Sequence, residues 1–251
     1  MLPIARYADL AGKGVFISGG ATGIGRDLVL AFAEQSARIV FADVNREAGA
    51  ALADRLSGAA VFRHCDVTDD DALTNAVSEV EAHGGLDVLV NNAANDTRHD
   101  IEEIDAERWR AMVDVNLRHQ FVAARAAARV MKPRGRGAIV NFGSVAPEMM
   151  VENLAVYSMC KSAVRGLTRS LARDLGPFGV RVNSILPGCI LTDRQRELWF
   201  DDQAKIDEVV ERQCLRRELC GRDVAEMALF LASDASSACT AQDFIVDGGM
   251  I

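Results

Sequence analysis

The stretch Gly14-Val15-Phe16-Ile17-Ser18-Gly19-Gly20-Ala21-Thr22-Gly23-Ile24-Gly25 decides the fold. Residues 14–18 have the pattern of a buried strand, and an apolar-periodic helix is predicted over 26–35. Glycines at 19, 23 and 25 allow a tight turn, close approach of a pyrophosphate to the backbone, and close packing of helix on strand. The helix N-terminus would offer free N–H groups to phosphates. An ordinary glycine-rich turn is the alternative.

The next predicted strand, 38–42, ends in Asp43, about 20 residues beyond the glycine loop, where a carboxylate can bind the adenosine ribose hydroxyls of a dinucleotide. Asp43 would repel a 2′-phosphate, and Thr22 supplies no positive charge to offset that repulsion, so NAD is predicted over NADP. Arg46 is close enough in sequence to bind a phosphate. Its position at the start of a helix over 46–56 favours a solvated surface charge instead.

Strand-like and helix-like segments alternate along the whole chain. Apolar runs occur near 14–18, 38–42, 60–64, 87–90, 138–142, 180–185 and 243–246, and helical stretches near 25–35, 46–57, 69–82, 105–131, 156–174 and 223–232. This alternation predicts an α/β fold: a single-domain, Rossmann-like, doubly wound parallel sheet of about seven strands with helices on both faces, spanning 1–251. Segment 188–222, polar but containing Trp199 and Phe200, is predicted to be an insertion that covers the substrate.

Composition fits one large domain and excludes several classes of partner. The 251 residues are 49% apolar and 25% charged, and the net charge of −8 disfavours nucleic acid and anionic membranes as partners. No apolar run approaches the ~20 residues of a membrane span, and the first residues lack a signal-peptide pattern, so a cytoplasmic location is expected. Six cysteines and four histidines are scattered without metal-ligand spacing. Free thiols and no metal site are predicted.

Tyr157 and Lys161 are four residues apart on a predicted helix, which puts a phenol and an ammonium on one face. A nearby cation favours the phenolate, as a general base requires. The spacing also arises by chance. Other candidates have ordinary structural alternatives as well: Ser144 as a turn former, Asn116 as a buried amide that satisfies backbone, and Thr192 as a helix N-cap.

These residues together resemble the short-chain dehydrogenase/reductase family over essentially the whole chain. The matching segments are Ser18-Gly19-x-x-x-Gly23-Ile24-Gly25, Cys65-Asp66-Val67, Asn91-Asn92-Ala93-Ala94, and Pro187-Gly188 followed by Thr192. Ala94 stands where the family usually has glycine. The dinucleotide contacts predicted from the loop and this resemblance are Gly19, Thr22, Gly23, Ile24, Gly25, Asp43, Asp66, Val67, Asn92, Ala93, Tyr157, Lys161, Pro187, Gly188 and Thr192.

The resemblance implies a catalytic set of Asn116, Ser144, Tyr157 and Lys161. Tyr157 would accept the substrate hydroxyl proton, and Ser144 would bind the same oxygen. Lys161 would hold the nicotinamide ribose and lower the pKa of Tyr157, while Asn116 supports a water relay. A homotetramer is also implied. Alanines on the predicted helix 105–131 would allow a second subunit to pack closely, or they pack against the protein's own sheet.

A polar cluster is expected around the reacting hydroxyl. The predicted substrate contacts are Asn95, Ser144, Glu148, Asn153, Tyr157, Gln195 and Trp199. Polar groups with an aromatic plate suit a polyhydroxylated ligand such as a sugar, since each buried hydroxyl needs a partner. Solvated loops are the alternative reading.

A narrower resemblance, to the sugar 1-dehydrogenase branch, is carried by Asn95-Asp96-x-Arg98-His99, Asn116-Leu117-Arg118-His119, Asn141-Phe142-Gly143-Ser144, Arg194-Gln195, Glu197-Leu198-Trp199 and Gln213-Cys214-Leu215. It implies NAD-dependent oxidation of an aldose such as D-galactose, D-xylose, L-rhamnose, L-fucose or L-arabinose to its lactone. The alternatives are dehydrogenation of another secondary alcohol, ketoacyl or ketosteroid reduction, and dinucleotide sensing without catalysis.

Overall fold

Seven parallel strands form one sheet in the order β3-β2-β1-β4-β5-β6-β7, in a computed structural model that describes residues 5–251. The strands are β1 (Gly14–Ser18), β2 (Arg38–Asp43), β3 (Ala60–His64), β4 (Val88–Asn91), β5 (Gly137–Phe142), β6 (Val180–Pro187) and β7 (Asp243–Val246). The alternation of apolar runs and helices predicted this architecture, and the structure confirms it.

Helices cover both faces of the sheet: α1 (Gly23–Glu34), α2 (Arg46–Arg55), α3 (Asp70–Ala82), α4 (Ala106–Val113), α5 (His119–Arg134), α6 (Ala155–Leu175), α7 (Asp193–Leu198), α8 (Gln203–Arg212) and α9 (Gly221–Ala232). Strand β1 contributes Val15 and Ile17 to the core packed against α1 and α9, and Phe16 to the core packed against α3, α5 and α6. A strand buried on both faces explains the unbroken apolar run in the sequence.

One predicted helix is interrupted. The stretch predicted as a helix over 105–131 is α4, then a π-helical turn Asp114–Arg118, then α5. Pattern reasoning missed the π turn because one extra residue shifts the apolar stripe by only a fraction of a turn. Helix α1 also begins at Gly23, three residues before the predicted start at 26, because the end of the glycine loop already belongs to the first turn of the helix.

The alanines of α5 do not form an outer surface. Ala123, Ala124, Ala126 and Ala127 are buried in the core between α5 and the sheet. Their small size therefore serves packing inside the subunit, and the argument for a tetramer from these alanines is wrong. The exposed apolar side chains in this part of the protein are instead Trp109 on α4 and Phe121 on α5.

The strand order creates one crevice at the carboxyl ends of the strands. Strand β1 pairs with β2 on one side and β4 on the other, so the chain leaves the carboxyl ends of β1 and β4 in opposite directions. In open α/β sheets ligands bind in the crevice at this point. Across residues 5–251, no helix is long and apolar enough to span a bilayer.

Candidate active site

A cavity of about 860 Å³ lies at the carboxyl ends of the strands, over the junction of β1 and β4. It is lined by the glycine loop, the ends of β2, β4, β5 and β6, the start of α6, and part of segment 188–222. All fifteen residues predicted to contact a dinucleotide line this cavity. The sheet thus brings together side chains that are up to 173 residues apart in sequence.

The glycine loop could not hold larger residues. Gly19 and Gly23 have φ of +66° and +55°, and a Cβ on Gly25 would lie 1.7 Å from the Gly19 carbonyl oxygen. Thr22, the N-cap of α1, makes no side-chain capping bond, so the first N–H groups of the helix remain available at the cavity. Free helix N–H groups behind a closely turned loop fit a pyrophosphate.

Asn92 holds the glycine loop in shape. Its Nδ2 donates to the Ser18 carbonyl at 3.1 Å and to the Gly19 carbonyl at 2.9 Å, and its backbone N–H donates to Ser18 Oγ. Ala94, which stands where glycine is usual in the family, is not among the described residues with positive φ. The turn therefore needs no glycine there, and the methyl group causes no strain.

Asp43 faces the cavity with its carboxylate fixed by backbone. Its Oδ2 accepts from the Ala21 N–H and its Oδ1 from the Asn45 N–H, both at 2.9 Å. The carboxylate is therefore oriented before any ligand binds, and each oxygen keeps a second lone pair for a ribose hydroxyl. Arg46, predicted to be a solvated charge, is exposed and contacts His64 Nδ1 at 3.1 Å.

The two ends of the predicted dinucleotide site differ in chemistry. Asp66 and Val67 line the cavity beyond Asp43, and Val67 is buried, which suits an adenine ring. At the other end, Gly188 follows β6, and a Cβ there would lie 2.5 Å from Asp247 Cβ. Thr192 caps the N-terminus of α7 with its Oγ1, which is the structural role considered for it from the sequence. It also lines the cavity beside Gly23.

Tyr157, Ser144 and Lys161 meet in the middle of the cavity. Lys161 is buried, and its Nζ donates to the Phe142 carbonyl at 2.8 Å and lies 5.5 Å from the Tyr157 ring centre. Burial lowers the pKa of Lys161 to about 8. Ser144 Oγ accepts from the Ala146 N–H at 3.0 Å, so it shapes its turn as well as facing the cavity.

Burial raises the pKa of Tyr157, and the nearby Asp96 carboxylate raises it further. A hydrogen bond with Ser144 and the charge of Arg194 act in the opposite direction but do not outweigh burial. The expected lowering by Lys161 is not seen, because burial dominates the phenol and the ammonium is directed to the Phe142 carbonyl. The phenolate at this site therefore forms at alkaline pH.

Asn116 does not line the cavity with its side chain. Its Oδ1 accepts from the Asn95 N–H at 2.9 Å, and its Nδ2 donates to the carbonyls of Asn95 and Met112. The amide is fully used on backbone, which matches the ordinary structural alternative. Asn116 thus fixes the chain after β4 and is not among the residues that line the cavity, and its part in a water relay stays a prediction.

Asp96 is the centre of the substrate end of the cavity. Its carboxylate accepts from Arg194 and, at 2.6 Å, from Gln195 Nε2, both on α7 of segment 188–222. The Arg98 guanidinium lies 4.3 Å from the centre of the Trp199 ring, in cation–π contact. Asn95 lines the cavity too, but its Oδ1 accepts from Thr97.

Two predicted substrate contacts lie elsewhere. Glu148 Oε1 forms an ion pair with Arg165 at 2.7 Å, next to Asp243, and its side chain is drawn away from the cavity. Asn153 is exposed, has φ of +59°, and contributes its carbonyl as an acceptor for the His99 N–H. From this stretch of the chain, Met149, Met150, Val151 and Leu154 line the cavity instead.

Sequence reasoning did not select three charged residues at the substrate end: Asp96, Arg98 and Arg194. All three stand in the polar segments singled out from the sequence, so the segments were right and the individual residues were not. The pattern carried no sign of the Asp96 to Arg194 pairing, because those residues are 98 positions apart.

The residues present fit a dinucleotide, on the evidence of the glycine cradle, the uncapped start of α1 and the oriented Asp43. Over residues 5–251, no group of three or more His, Cys, Asp or Glu side chains is placed to hold a metal ion. All six cysteines are free thiols. A fold with this nucleotide crevice and a buried Tyr/Lys pair defines a nicotinamide-dependent oxidoreductase.

Comparison with known proteins agrees. Residues 19–251 match the family model described as enoyl-(acyl carrier protein) reductase. The chain is 44% identical to a Rhizobium meliloti protein named probable galactose dehydrogenase GalD, covering 99% of both chains. It is 40% identical to D-xylose 1-dehydrogenase of Caulobacter vibrioides, covering 98% of both. The protein belongs to the short-chain dehydrogenase/reductase family.

Two further matches mark the breadth of that family. The chain is 40% identical to a Mycobacterium bovis 3-alpha-(or 20-beta)-hydroxysteroid dehydrogenase, covering 96% of this chain and 90% of the other. A crystal structure of an Agrobacterium tumefaciens protein, provisionally assigned as a gluconate dehydrogenase, superposes with a TM-score of 0.90 at 30% identity over 98% of both chains.

Proposed function

We propose that this protein is an NAD-dependent aldose 1-dehydrogenase, which oxidises the anomeric carbon of a sugar such as D-galactose, D-xylose, L-rhamnose, L-fucose or L-arabinose to the lactone. The observation that carries the proposal is the substrate end of the cavity, which Asp96 and its partner Gln195 line together with Arg98 and the Trp199 ring that Arg98 contacts. Hydrogen-bonding groups with an aromatic face suit a ring bearing several hydroxyls. The two sugar dehydrogenases among the relatives support the same class.

Asp43 supports NAD as the cofactor. A 2′-phosphate would meet a carboxylate that two backbone N–H groups hold in place, so the side chain cannot easily turn away. We expect the kcat/KM for NAD to exceed that for NADP, and Asp43→Ala to narrow the difference. Equal or better use of NADP by the natural protein would contradict this assignment.

In the proposed mechanism Tyr157 removes the proton of the anomeric hydroxyl, while Ser144 donates a hydrogen bond to the same oxygen. A bound nicotinamide dinucleotide supplies the acceptor for the hydride that leaves the anomeric carbon. The O–H and C–H bonds break, and the carbonyl of the lactone forms. Since burial raises the pKa of Tyr157, the phenolate fraction grows with pH. We expect kcat/KM for the sugar to rise between pH 7 and pH 9.

Lys161 and Asn116 act around that step. Lys161, buried beside Tyr157, would bind the nicotinamide ribose with the N–H groups that Phe142 does not use. Asn116 holds the chain after β4 through the backbone of Asn95, and so keeps Asp96 at the cavity. Tyr157→Phe should abolish turnover and leave NAD binding nearly intact, whereas Lys161→Ala should impair both.

Segment 188–222 would act as the cover over the sugar within a single domain of residues 1–251. Its helix α7 is bound to Asp96 across the cavity, and Phe200, Val209 and Arg212 also face inward. Alanine at Gln195 or Trp199 should change the ranking among aldoses more than the affinity for NAD. Unchanged rankings in both variants would remove these residues from the sugar site.

A second candidate is oxidation of a larger secondary alcohol such as a hydroxysteroid. It is favoured by the apolar wall of Met149, Met150, Val151 and Leu154, and by the 40% identity to the hydroxysteroid dehydrogenase. A panel of aldoses and a hydroxysteroid, each tested with NAD and NADP by NADH or NADPH absorbance, separates the two. Turnover of the steroid and of no aldose would overturn the first proposal.

We also propose a homotetramer in the cytoplasm. Trp109 on α4 and Phe121 on α5 are exposed large apolar side chains, which supports association of subunits. Light scattering should give a mass near four times 27.1 kDa. A monomer at micromolar concentration would refute the tetramer.

A further inference from the structure

Four buried polar atoms near Lys161 lack a hydrogen bond of good geometry: both ring nitrogens of His119, Oδ1 of Asn91 and Oε1 of Gln120. Among the side chains of residues 5–251, Arg38 Nη1 is the one other atom in this condition. The His119 ring has one weak backbone contact, with Ala93. His119 is 1% exposed, and Asn91 and Gln120 are fully buried. Buried polar groups without any partner cost free energy, so a cluster of them marks a place where something is bound.

The cluster adjoins Lys161 through the Phe142 carbonyl. Gln120 Nε2 and Lys161 Nζ both donate to the Phe142 carbonyl, at 3.2 and 2.8 Å. Asn91 Nδ2 donates to the Gln120 carbonyl at 3.3 Å, which ties the end of β4 to the start of α5. His119 is the first residue of α5, directly after the π turn.

His119 is neutral in this position. Burial, together with the charge of Lys161, lowers the pKa of His119 to about 3. A neutral imidazole has one N–H donor and one bare nitrogen that accepts. The charged and titratable groups around Lys161 are Asp96 from the segment after β4, Tyr157 and Cys160 from its own helix, and His119 from α5.

Lys161 has N–H donors that no protein group within residues 5–251 accepts from. Its ammonium has three N–H groups, of which the Phe142 carbonyl takes one. An internal water that accepts from Lys161 has two hydrogens to donate, and the bare nitrogen of His119 and Oε1 of Gln120 or Oδ1 of Asn91 are acceptors for them. Internal waters make about three such bonds to buried groups that lack partners.

We propose that His119 is a positioning residue for Lys161: through an internal water, its imidazole gives the ammonium a hydrogen-bond acceptor on the side facing the core. The ammonium is thereby stabilised as a cation and held toward the cavity. The inference rests on the proposed function only for the work that Lys161 performs. The water site itself follows from the buried atoms and needs no particular substrate.

The test is a titration of Lys161 by NMR in the full-length protein labelled with 13Cε lysine. The chain has four lysines, so four signals are expected, and Lys161→Arg identifies the one that matters. His119→Leu removes the acceptor and should lower the pKa of Lys161 by about one unit, because a hydrogen bond to a charged group is worth about that much. An unchanged pKa in His119→Leu would overturn the proposal.

Two further variants separate hydrogen bonding from packing. His119→Gln places an oxygen near the position of Nε2, and His119→Asn places one near Nδ1. One of the two should restore the pKa of Lys161, because only one ring nitrogen is the acceptor. If both match His119→Leu, the imidazole serves packing alone and the proposal fails. If His119→Leu does not fold, Gln and Asn must still differ from each other, and equal pKa values would refute the proposal.

Kinetics provide the second readout with whichever substrate the natural protein turns over. His119→Leu should lower kcat and move the pH profile, with the affinity for NAD within about twofold, and the restoring variant should recover both. Because the NMR titration uses no substrate, a wrong substrate class leaves the His119 result standing. Conversely, an unchanged pKa of Lys161 in all three variants would show that His119 does not position Lys161, and the dehydrogenase proposal would be unaffected.

Discussion

The glycine loop and segment 188–222 line the same cavity but are held in place in different ways. The loop is held by backbone: Asn92 binds its carbonyls, and Gly25 packs so closely on Gly19 that no side chain fits. Backbone bonds anchor the two ends of the segment, as from the Leu215 N–H to the Gly248 carbonyl, but over the cavity it is held by side-chain pairs, Asp96 with Gln195 and Arg98 with Trp199. Backbone packing allows one geometry, whereas paired side chains can separate and re-form.

The difference teaches where recognition is rigid and where it adapts. A dinucleotide has an invariant pyrophosphate, so a loop with a single geometry suits it. A sugar must enter and its product leave, so its cover is better fixed by contacts that can be broken. Four substitutions measure this contrast, from the largest expected change in free energy to the smallest.

Gly25→Ala should have the largest effect. The new Cβ would lie 1.7 Å from the Gly19 carbonyl oxygen, and the backbone must move to relieve the clash. We expect affinity for NAD to fall at least ~100-fold, about 3 kcal/mol or more, by calorimetric titration. Gly166→Ala on α6 is the control, because its Cβ meets no atom within 4 Å. It should keep NAD affinity and gain about 0.5–1 kcal/mol of stability. Normal NAD binding by Gly25→Ala would show that the loop adapts.

Lys161→Met should raise the free energy of unfolding of the protein when no dinucleotide is bound. The pKa of Lys161 falls from 10.5 unfolded to about 8 in the fold, equivalent to an upper limit of about 3 kcal/mol against burying the charge. This cost is present in full below pH 8 and disappears as pH rises to 10.5. Urea unfolding at pH 7 should show a gain of about 1–3 kcal/mol that vanishes near pH 10.

Lys205→Met, in α8 of segment 188–222 and outside the buried site, is the matched control. Lys205 is 54% exposed and pairs with Asp201, so its loss should change stability by less than about 0.5 kcal/mol at either pH. Equal effects for the two lysines would mean that burial at position 161 carries no cost.

Asp96→Ala should loosen the cover. It removes the acceptor shared by Arg194 and Gln195, and we expect KM for the sugar to rise about tenfold, or about 1.4 kcal/mol, with NAD affinity changed less than twofold. Asp193→Ala is the control, because its pair with Arg26 lies at the exposed rim. A steady-state comparison in which NAD affinity falls as much as sugar affinity would mean that the two regions are not independent.

Glu148→Gln should have the smallest effect. The Glu148 carboxylate pairs with the partly exposed Arg165 away from the cavity, so KM for any accepted sugar should stay within about twofold. The free energy of unfolding, measured by thermal denaturation, should change by no more than about 0.5 kcal/mol. A severalfold change in KM would return Glu148 to the sugar site, where the sequence had put it.

The sequence predicted the sheet, the glycine loop, Asp43 and the Tyr157/Lys161 pair, because each depends on residues close together in the chain. It did not predict the π turn at Asn116, and it left open whether the α5 alanines pack against a second subunit or in the subunit's own core, where they lie. Those outcomes depend on which distant parts of the chain pack against these residues, and the periodic pattern of apolar residues does not encode that packing.

By itself, the sequence determined the fold and the dinucleotide crevice, since local spacing of glycines, apolar runs and one carboxylate limits the backbone to few geometries. The tertiary structure alone decided the partners of the charged and buried polar groups. It turned Asp96 toward Arg194, Glu148 toward Arg165 and Asn116 onto backbone, and it left the His119 ring near Lys161 without a hydrogen bond of good geometry. Polar side chains choose among partners that long-range folding brings within about 3 Å, and a hydrogen bond is lost over a shift of less than 1 Å.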